Sequence, residues 1–239
     1  KRNNTEEESA NFFASTPPHE AVKFLISEAM TKRVSRNNRP LKMSFIDVKK
    51  APLCSDVLRE LYVEPPPEAN EPPDIVWRLQ RAMYGTRDAA AAWEREWTRT
   101  LNSVGFESGV SNPALLNGEK LDAFMVVHGD DFITLGDDEA LSEVERVMSS
   151  QYTIKVRAVL WPGRGDAKEV RILNRYVRWN SDGERSWIEY EPDPRHAELI
   201  VKLLNLESAT GLTTPSVKKR LEEVLMTSPQ LDALQTRQY

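Results

Sequence analysis

The order of apolar and polar positions predicts a chain that mixes helices and strands. Helical spacing begins at Pro17, extends from Thr86 to Val104, returns around residues 141–147 and starts again at Asp193-Pro194. The segments with strand character are residues 41–48, 61–63, 75–79, 121–128, 132–135, 152–156, 169–179 and 186–191. Because helices and strands do not alternate strictly, the pattern predicts an α+β fold, an antiparallel sheet with helices packed on one face.

The clearest local signal is a hairpin in the middle of the chain. Two apolar segments flank Gly129, Asp130 and Asp131, and a tight turn between strands favours such residues. A third acid, Asp47, ends the strand 41–48. Adjacent acids repel each other, and a divalent ion that prefers hard oxygen ligands, such as Mg²⁺, would offset the repulsion. An ordinary turn explains the pair equally well, and spacing alone does not bring Asp47 to it.

Composition narrows the class of protein. The 239 residues are 40% hydrophobic and 29% charged, which is ordinary for a soluble globular protein. The net charge of −5 argues against binding nucleic acid through bulk charge alone. No apolar run approaches the roughly 18 residues of a membrane span, and the start of the chain has no secretory signal. A single cysteine, Cys54, fits a reducing cytoplasm, and the absence of an initiating Met suggests a piece of a longer protein.

A second place for a polar ligand is the segment 169–179. It carries Arg171, Arg175 and Arg178, and alternation along a single strand would put Arg171 and Arg175 on one face. Such a face could contact a phosphate backbone, and a solvated sheet surface is the alternative.

Several segments, in order along the chain, resemble the Ty1/copia-type reverse transcriptases. The resemblance is carried by residues 45–51 (FIDVKKA), 82–93 (AMYGTRDAAAAW), 106–115, 126–132 (VVHGDDF), 172–177 and 193–196 followed by Thr214-Pro215. Each motif is moderately specific, and their common order and spacing are more so. The resemblance covers roughly residues 40–220 and implies a polymerase palm-like fold with incomplete fingers and thumb.

The resemblance also implies roles for residues. Asp47, Asp130 and Asp131 would be catalytic and would bind two Mg²⁺ ions, with Mn²⁺ as the alternative. The template would lie beside Tyr84 and Gly85. The nucleotide-binding residues would be Val48, Lys49, Lys50, Ala51 and Pro52. The expected partners are a nucleic acid template-primer, a dNTP and the remainder of a polyprotein. The expected location is the cytoplasm, inside a virus-like particle where one forms.

The implied organisation has three regions: residues 1–40 as a polar leader and helix, 41–192 as a palm, and 193–239 as the start of a thumb or connection with a polar tail. Two departures from the family bear on activity. Pro52 stands where the family usually has an aromatic residue against the sugar, and residues 1–40 lack the family's basic fingers pattern.

Three hypotheses therefore stay open. The first is an RNA-directed DNA polymerase palm of a copia-like retrotransposon polyprotein, which catalyses two-metal nucleotidyl transfer. The second is a catalytically inactive relic, too truncated to work, with at most weak nucleic-acid binding. The third is an unrelated α+β interaction domain in which Gly-Asp-Asp is only a turn.

Overall fold

The structure, a computed structural model, describes residues 12–211. The chain divides into two compact units, Lys1–Pro192 and Asp193–Tyr239, and each is described by itself. The first eleven residues of the expected leader lie outside the described residues, as do Thr214-Pro215 and most of the polar tail. The three-region division of the chain stays a prediction.

Within its described residues, the first unit contains three α-helices, two short 3-10 helices (Ala51–Cys54 and Pro67–Ala69) and eleven strands. The α-helices are α1 (His19–Thr31), α2 (Ala89–Asn102) and α3 (Asp138–Gln151). The strands are β1 (Lys42–Val48), β2 (Tyr62–Val63), β3 (Trp77–Arg78), β4 (Glu107–Ser108), β5 (Leu115–Gly118), β6 (Ala123–His128), β7 (Asp131–Gly136), β8 (Ile154–Leu160), β9 (Glu169–Ile172), β10 (Arg175–Ser181) and β11 (Ser186–Pro192). In the second unit, α4 spans Pro194–Leu203.

The main sheet has six antiparallel strands in the order β4-β5-β6-β7-β1-β8, which confirms the mixed fold with an antiparallel sheet. The predicted hairpin forms its centre as β6 and β7. Strand β1, distant in sequence, pairs with β7 on one side and β8 on the other. A smaller sheet contains β9, β10 and β11, and β2 pairs with β3 in a short ribbon.

Helices cover both faces of the main sheet, so the expectation of helices on one face is wrong. Helix α1 and the small sheet pack on the face that carries Phe45 and Ile133. Helices α2 and α3 pack on the opposite face, which carries Ile46 and Phe132. The physical reason is that β1 and β7 are apolar at consecutive positions, and successive residues of a strand point to opposite faces. Both faces must therefore be covered.

The segment predicted as one strand, residues 169–179, is instead two strands. Leu173 and Asn174 have φ of 49° and 56°, and this left-handed pair turns the chain between β9 and β10. As a result Arg171 lies opposite Tyr176, whereas Arg175 lies opposite Ile172. Residues directly opposite in an antiparallel pair share a face, so Arg171 and Arg175 point to different faces, and the expected shared arginine face is wrong.

Two helices begin directly after the aspartate that caps them, and a third begins two residues later than the sequence predicts. Asp137 accepts a hydrogen bond from the Ala140 N–H at the start of α3, and Asp193 accepts one from the Arg195 N–H at the start of α4. Helix α1 begins at His19 rather than Pro17, because Pro18 has an extended backbone and a residue before proline is disfavoured in the helical region. No helix within residues 12–211 is long and apolar enough to cross a lipid bilayer.

Candidate functional site

Two of the three predicted acids lie opposite each other in the main sheet. The register of β1 and β7 pairs Asp47 with Asp131, which places both side chains on one face, near the end of β1 and at the start of β7. Pairing of Phe45 with Ile133 two residues earlier fixes this register, because both side chains are buried in the core. A slip of one residue would send these apolar residues to the other face.

The third acid, Asp130, lies in the turn between β6 and β7 and is exposed. Two hydrogen bonds hold this turn. The Val48 N–H donates to the Asp130 carbonyl at 2.9 Å, and the Trp93 indole N–H donates to the Gly129 carbonyl at 2.8 Å. Gly129 has a φ of 65°, a conformation that glycine adopts without a steric penalty. The end of β1 and helix α2 thus both fix the position of the turn.

An arginine that the sequence did not single out contacts these acids. The Arg157 guanidinium forms an ion pair with Asp47 Oδ1 and lies 3.4 Å from Asp131 Oδ1. Its position depends on a β-bulge in β8. Phe45 pairs with Ala158 and the next residue, Ile46, pairs with Val156, so Arg157 is the extra residue between them. Bulges redirect a side chain in this way and are common beside active sites.

The electrostatics of the site follow from burial. Burial raises the pKa of Asp131 to about 6, the Arg157 guanidinium opposes that rise, and the negative charges of Asp130 and Asp47 add to it. Asp131 is only 9% exposed. Among the described residues 12–211, no donor forms a hydrogen bond with Asp131 Oδ1, although Arg157 is within ion-pair distance.

A divalent ion can be tested against this arrangement. The carboxylates offer the hard oxygen atoms that Mg²⁺ prefers, and the buried Asp131 Oδ1 lacks a hydrogen bond, so the donor chemistry fits. As they stand, however, no three His, Cys, Asp or Glu side chains within the described part of the chain are grouped so that they could hold an ion. Arg157 is the cation that contacts Asp47 and Asp131 here.

A cavity of about 300 Å³ lies beside the turn. Residues from three sets predicted to act together line it: Ala51 and Pro52 from the nucleotide-binding set, Tyr84 and Gly85 from the template side, and Asp130 from the carboxylates. The other lining residues are Thr86, Ala89, Ala90, Trp93 and Gly129.

The remaining members of the nucleotide-binding set do not line this cavity. Val48 is fully buried, whereas Lys49 and Lys50 are exposed at the end of β1. Their roles stay predictions.

Two contributions were not visible in the sequence. Trp93 fits the apolar stripe of α2, as expected, and its indole also holds the turn. Arg157 lies beyond the strand predicted at residues 152–156, and no turn residue marks the bulge. Arg157 itself fits the alternation of the strand, and the three consecutive apolar residues that follow it are the one signal that could have pointed to the bulge.

Comparison with known proteins identifies the family. Residues 5–161 match the family described as reverse transcriptase (RNA-dependent DNA polymerase). The chain belongs to this reverse transcriptase family. The hypothesis of an unrelated interaction domain is therefore wrong.

Relatives agree with the copia type of reverse transcriptase that the sequence motifs indicated. The chain is 31% identical over 115 residues to the retrovirus-related Pol polyprotein from transposon RE2 of Arabidopsis thaliana, covering 46% of this chain and 8% of that protein. It is 22% identical over 181 residues to the Pol polyprotein from transposon TNT 1-94 of Nicotiana tabacum, covering 73% and 13%. A putative transposon Ty5-1 protein of Saccharomyces cerevisiae is 38% identical over 65 residues, covering 26% and 20%.

The resemblance to Ty1/copia-type reverse transcriptases is confirmed by these matches. The matched regions span only 8% to 20% of the relatives' lengths. The chain therefore corresponds to a small part of each relative.

Proposed function

We propose that this chain is the palm region of an RNA-directed DNA polymerase and that Asp47, Asp130 and Asp131 form its catalytic carboxylates. The reaction would be nucleotidyl transfer, in which a primer 3′-hydroxyl attacks the α-phosphate of a dNTP and pyrophosphate leaves. Its partners would be a template-primer, a dNTP and the remainder of a polyprotein, as the names of the relatives suggest.

One observation carries the proposal. Asp47, from a strand early in the chain, lies directly opposite Asp131, and the adjoining turn carries Asp130. An unrelated hairpin turn would give no reason for an acid 84 positions before Asp131 to lie directly opposite it on the neighbouring strand. Burial at this position raises the pKa of Asp131 to about 6. A carboxylate with a perturbed pKa near a cavity is typical of functional sites.

The metal would be held by Asp47 and Asp130, with Asp131 as the third carboxylate beside them. A pair of bound divalent ions would supply activation of the attacking hydroxyl and charge neutralisation at the leaving oxygen. The protein's own contribution is orientation. The hydrogen bonds from Val48 and Trp93 hold the turn that carries Asp130. The register of β1 and β7 holds Asp47 and Asp131 opposite each other.

The cavity beside Asp130 would receive the nucleotide and the template base. Its walls are mostly apolar and include Ala51, Pro52, Trp93, Tyr84 and Gly85. Apolar walls suit a flat base and exclude water from the reacting groups. Pro52 presents no flat ring, so discrimination between deoxyribose and ribose is expected to be weak at this position.

Primer extension tests the proposal. The protein is given an RNA template, a labelled DNA primer and dNTPs, with Mg²⁺ or Mn²⁺. We expect extension by the unaltered chain and a loss of about 100-fold or more in Asp130→Asn, since even outer-shell changes at metal sites cost about 10–100-fold. Asp74→Asn, a change at an exposed aspartate before β3, is the matched control and should keep full activity. Equal extension by wild type and Asp130→Asn would remove Asp130 from the mechanism.

A second candidate is an inactive relic that retains weak nucleic-acid binding. The ion pair between Arg157 and Asp47 favours it, because a positively charged side chain of the protein occupies a carboxylate that the reaction would need for metal. This candidate predicts a folded protein that extends no primer with either ion yet still retards single-stranded RNA in a low-salt gel-shift experiment.

A further inference from the structure

Arg157 is the feature of the site that the proposed function does not use. It comes from β8, which pairs with β1 on the side away from the Asp130 turn. Regular alternation from Ala158, which faces the α1 side with Phe45, would send the preceding side chain to the opposite face. The bulge changes this, so that Arg157 reaches Asp47 and Asp131 on the same face.

The charges around Arg157 are mainly negative. Asp47 and Asp131 contact it, and Asp130 is close enough to influence it electrostatically. Two further basic groups face the cluster: His128 lies opposite Asp131 across β6 and β7, and Lys155 lies opposite Asp47 across β8 and β1. Only Arg157 bridges two of the acids among the described residues.

We propose that Arg157 is a tethered counter-ion that competes with divalent cations for Asp47 and Asp131. The inference rests on the proposed function in that it concerns the same carboxylates. The guanidinium stands in for the positive charge of a metal, so an ion binds only when the Arg157 side chain moves away. The side chain is 34% exposed, so it has open solvent to move into.

The competition has a directional consequence. When a metal displaces Arg157, the protein loses the charge-assisted hydrogen bond between Arg157 and Asp47. The chain therefore binds divalent ions more weakly than it would if the arginine were absent. Loss of one such bond corresponds to about tenfold or more in affinity. Arg157 therefore lowers the affinity of the site for divalent ions, and it is neither a metal ligand nor a catalytic residue.

Mn²⁺ binding to the full chain tests the proposal, measured by electron paramagnetic resonance of free Mn²⁺ and by calorimetry. We expect Arg157→Met, which keeps the apolar stem and removes the charge, to bind Mn²⁺ about tenfold more tightly than wild type. Adding Asp47→Asn to Arg157→Met should abolish the gain. Arg178→Met is the matched control, because Arg178 also bridges two acids, Glu169 and Glu191, and its affinity should equal that of wild type.

The outcomes separate this proposal from the proposed function. Unchanged or weaker Mn²⁺ binding by folded Arg157→Met overturns the counter-ion role, whatever the polymerase activity. If Arg157→Met fails to fold by circular dichroism, Arg157→Lys decides. Its ammonium keeps the charge but ends a shorter side chain than the Arg157 Nη2 that contacts both acids. Mn²⁺ should therefore bind between wild type and the expected Met value, and affinity no higher than that of wild type overturns the proposal. Tighter Mn²⁺ binding without primer extension supports the counter-ion role and counts against the polymerase proposal alone.

Discussion

The same side-chain arrangement occurs in two regions of this reverse transcriptase-family chain with different surroundings. At the end of β1 and β7, Arg157 bridges Asp47 and Asp131, whereas on the small sheet Arg178 bridges Glu169 and Glu191. The two arginines are similarly exposed, at 34% and 32%.

Their partners differ much more. The side chains of Asp47 and Asp131 are 21% and 12% exposed, while those of Glu169 and Glu191 are 47% and 56% exposed. Water screens the second bridge, and exposed ion pairs contribute little to stability. An arginine between two acids thus acquires its chemical consequences from the burial of those acids.

The largest expected difference between the two regions is in the free energy of unfolding that is lost when an isoleucine near each arginine bridge is truncated. Ile133, two residues after Asp131, is fully buried, whereas Ile188 of the small sheet is only partly buried. We expect Ile133→Ala to lower the free energy of unfolding by about 2–5 kcal/mol, and Ile188→Ala to lower it by about half as much or less. Urea denaturation measures both. Equal losses would show that the small sheet is packed as firmly as the main sheet, which would weaken the comparison.

The pH dependence of stability should report the buried acid. Burial raises the pKa of Asp131 to about 6, so the folded state holds a proton that the unfolded state releases near pH 4. The contribution of Asp131 to stability is therefore full below about pH 4 and is lost as the pH rises to about 6. Relative to Asp131→Asn, wild type should lose on the order of 2 kcal/mol across that window. Thermal unfolding of both proteins from pH 3.5 to 7.5, expressed as free energies, provides the measurement, and parallel curves would contradict the burial argument.

Removal of each bridging arginine should lower the free energy of unfolding by different amounts in the two regions. Without metal, Arg157→Met leaves Asp47 and Asp131 without their shared counter-charge and should lower the free energy of unfolding by about 1–2 kcal/mol, a value already reduced for solvent exposure. Arg178→Met should leave stability close to that of wild type, because its partners face solvent. Chemical denaturation in metal-free buffer decides, and a larger loss in Arg178→Met would reverse the comparison.

The contribution of Asp122 to the pH dependence of stability should be the smallest of these effects and opposite in sign to that of Asp131. Burial alone would raise the pKa of Asp122, but hydrogen bonds from the Lys32 ammonium and the Arg36 N–H outweigh it and lower the pKa. Its contribution to stability is therefore present above about pH 4 and is lost as the pH falls further through the lowered folded pKa. Wild type should lose its advantage over Asp122→Asn only in acid, and an advantage that grows as the pH falls would disprove the assignment.

Much of the local structure could be predicted because it depends on neighbouring residues. The hairpin around Gly129 required only two apolar segments and a turn, and α3 began where an aspartate could cap it. The stripe of Trp93, Trp97 and Leu101 followed helical spacing and is buried as expected. Of the candidate site, the residues themselves came from family motifs, whereas the cavity that Ala51, Pro52, Tyr84 and Gly85 line is visible only in the structure.

By itself, then, the sequence determined the hairpin, the main helices and the family to which the chain belongs, since these depend on short-range pattern and motif order. Tertiary structure alone decided that helices cover both faces, that Asp47 faces Asp131, and that a bulge carries Arg157 between them. These features depend on which strands become neighbours and in which register. Burial of apolar residues far apart in the chain selects that register, and no local pattern specifies it.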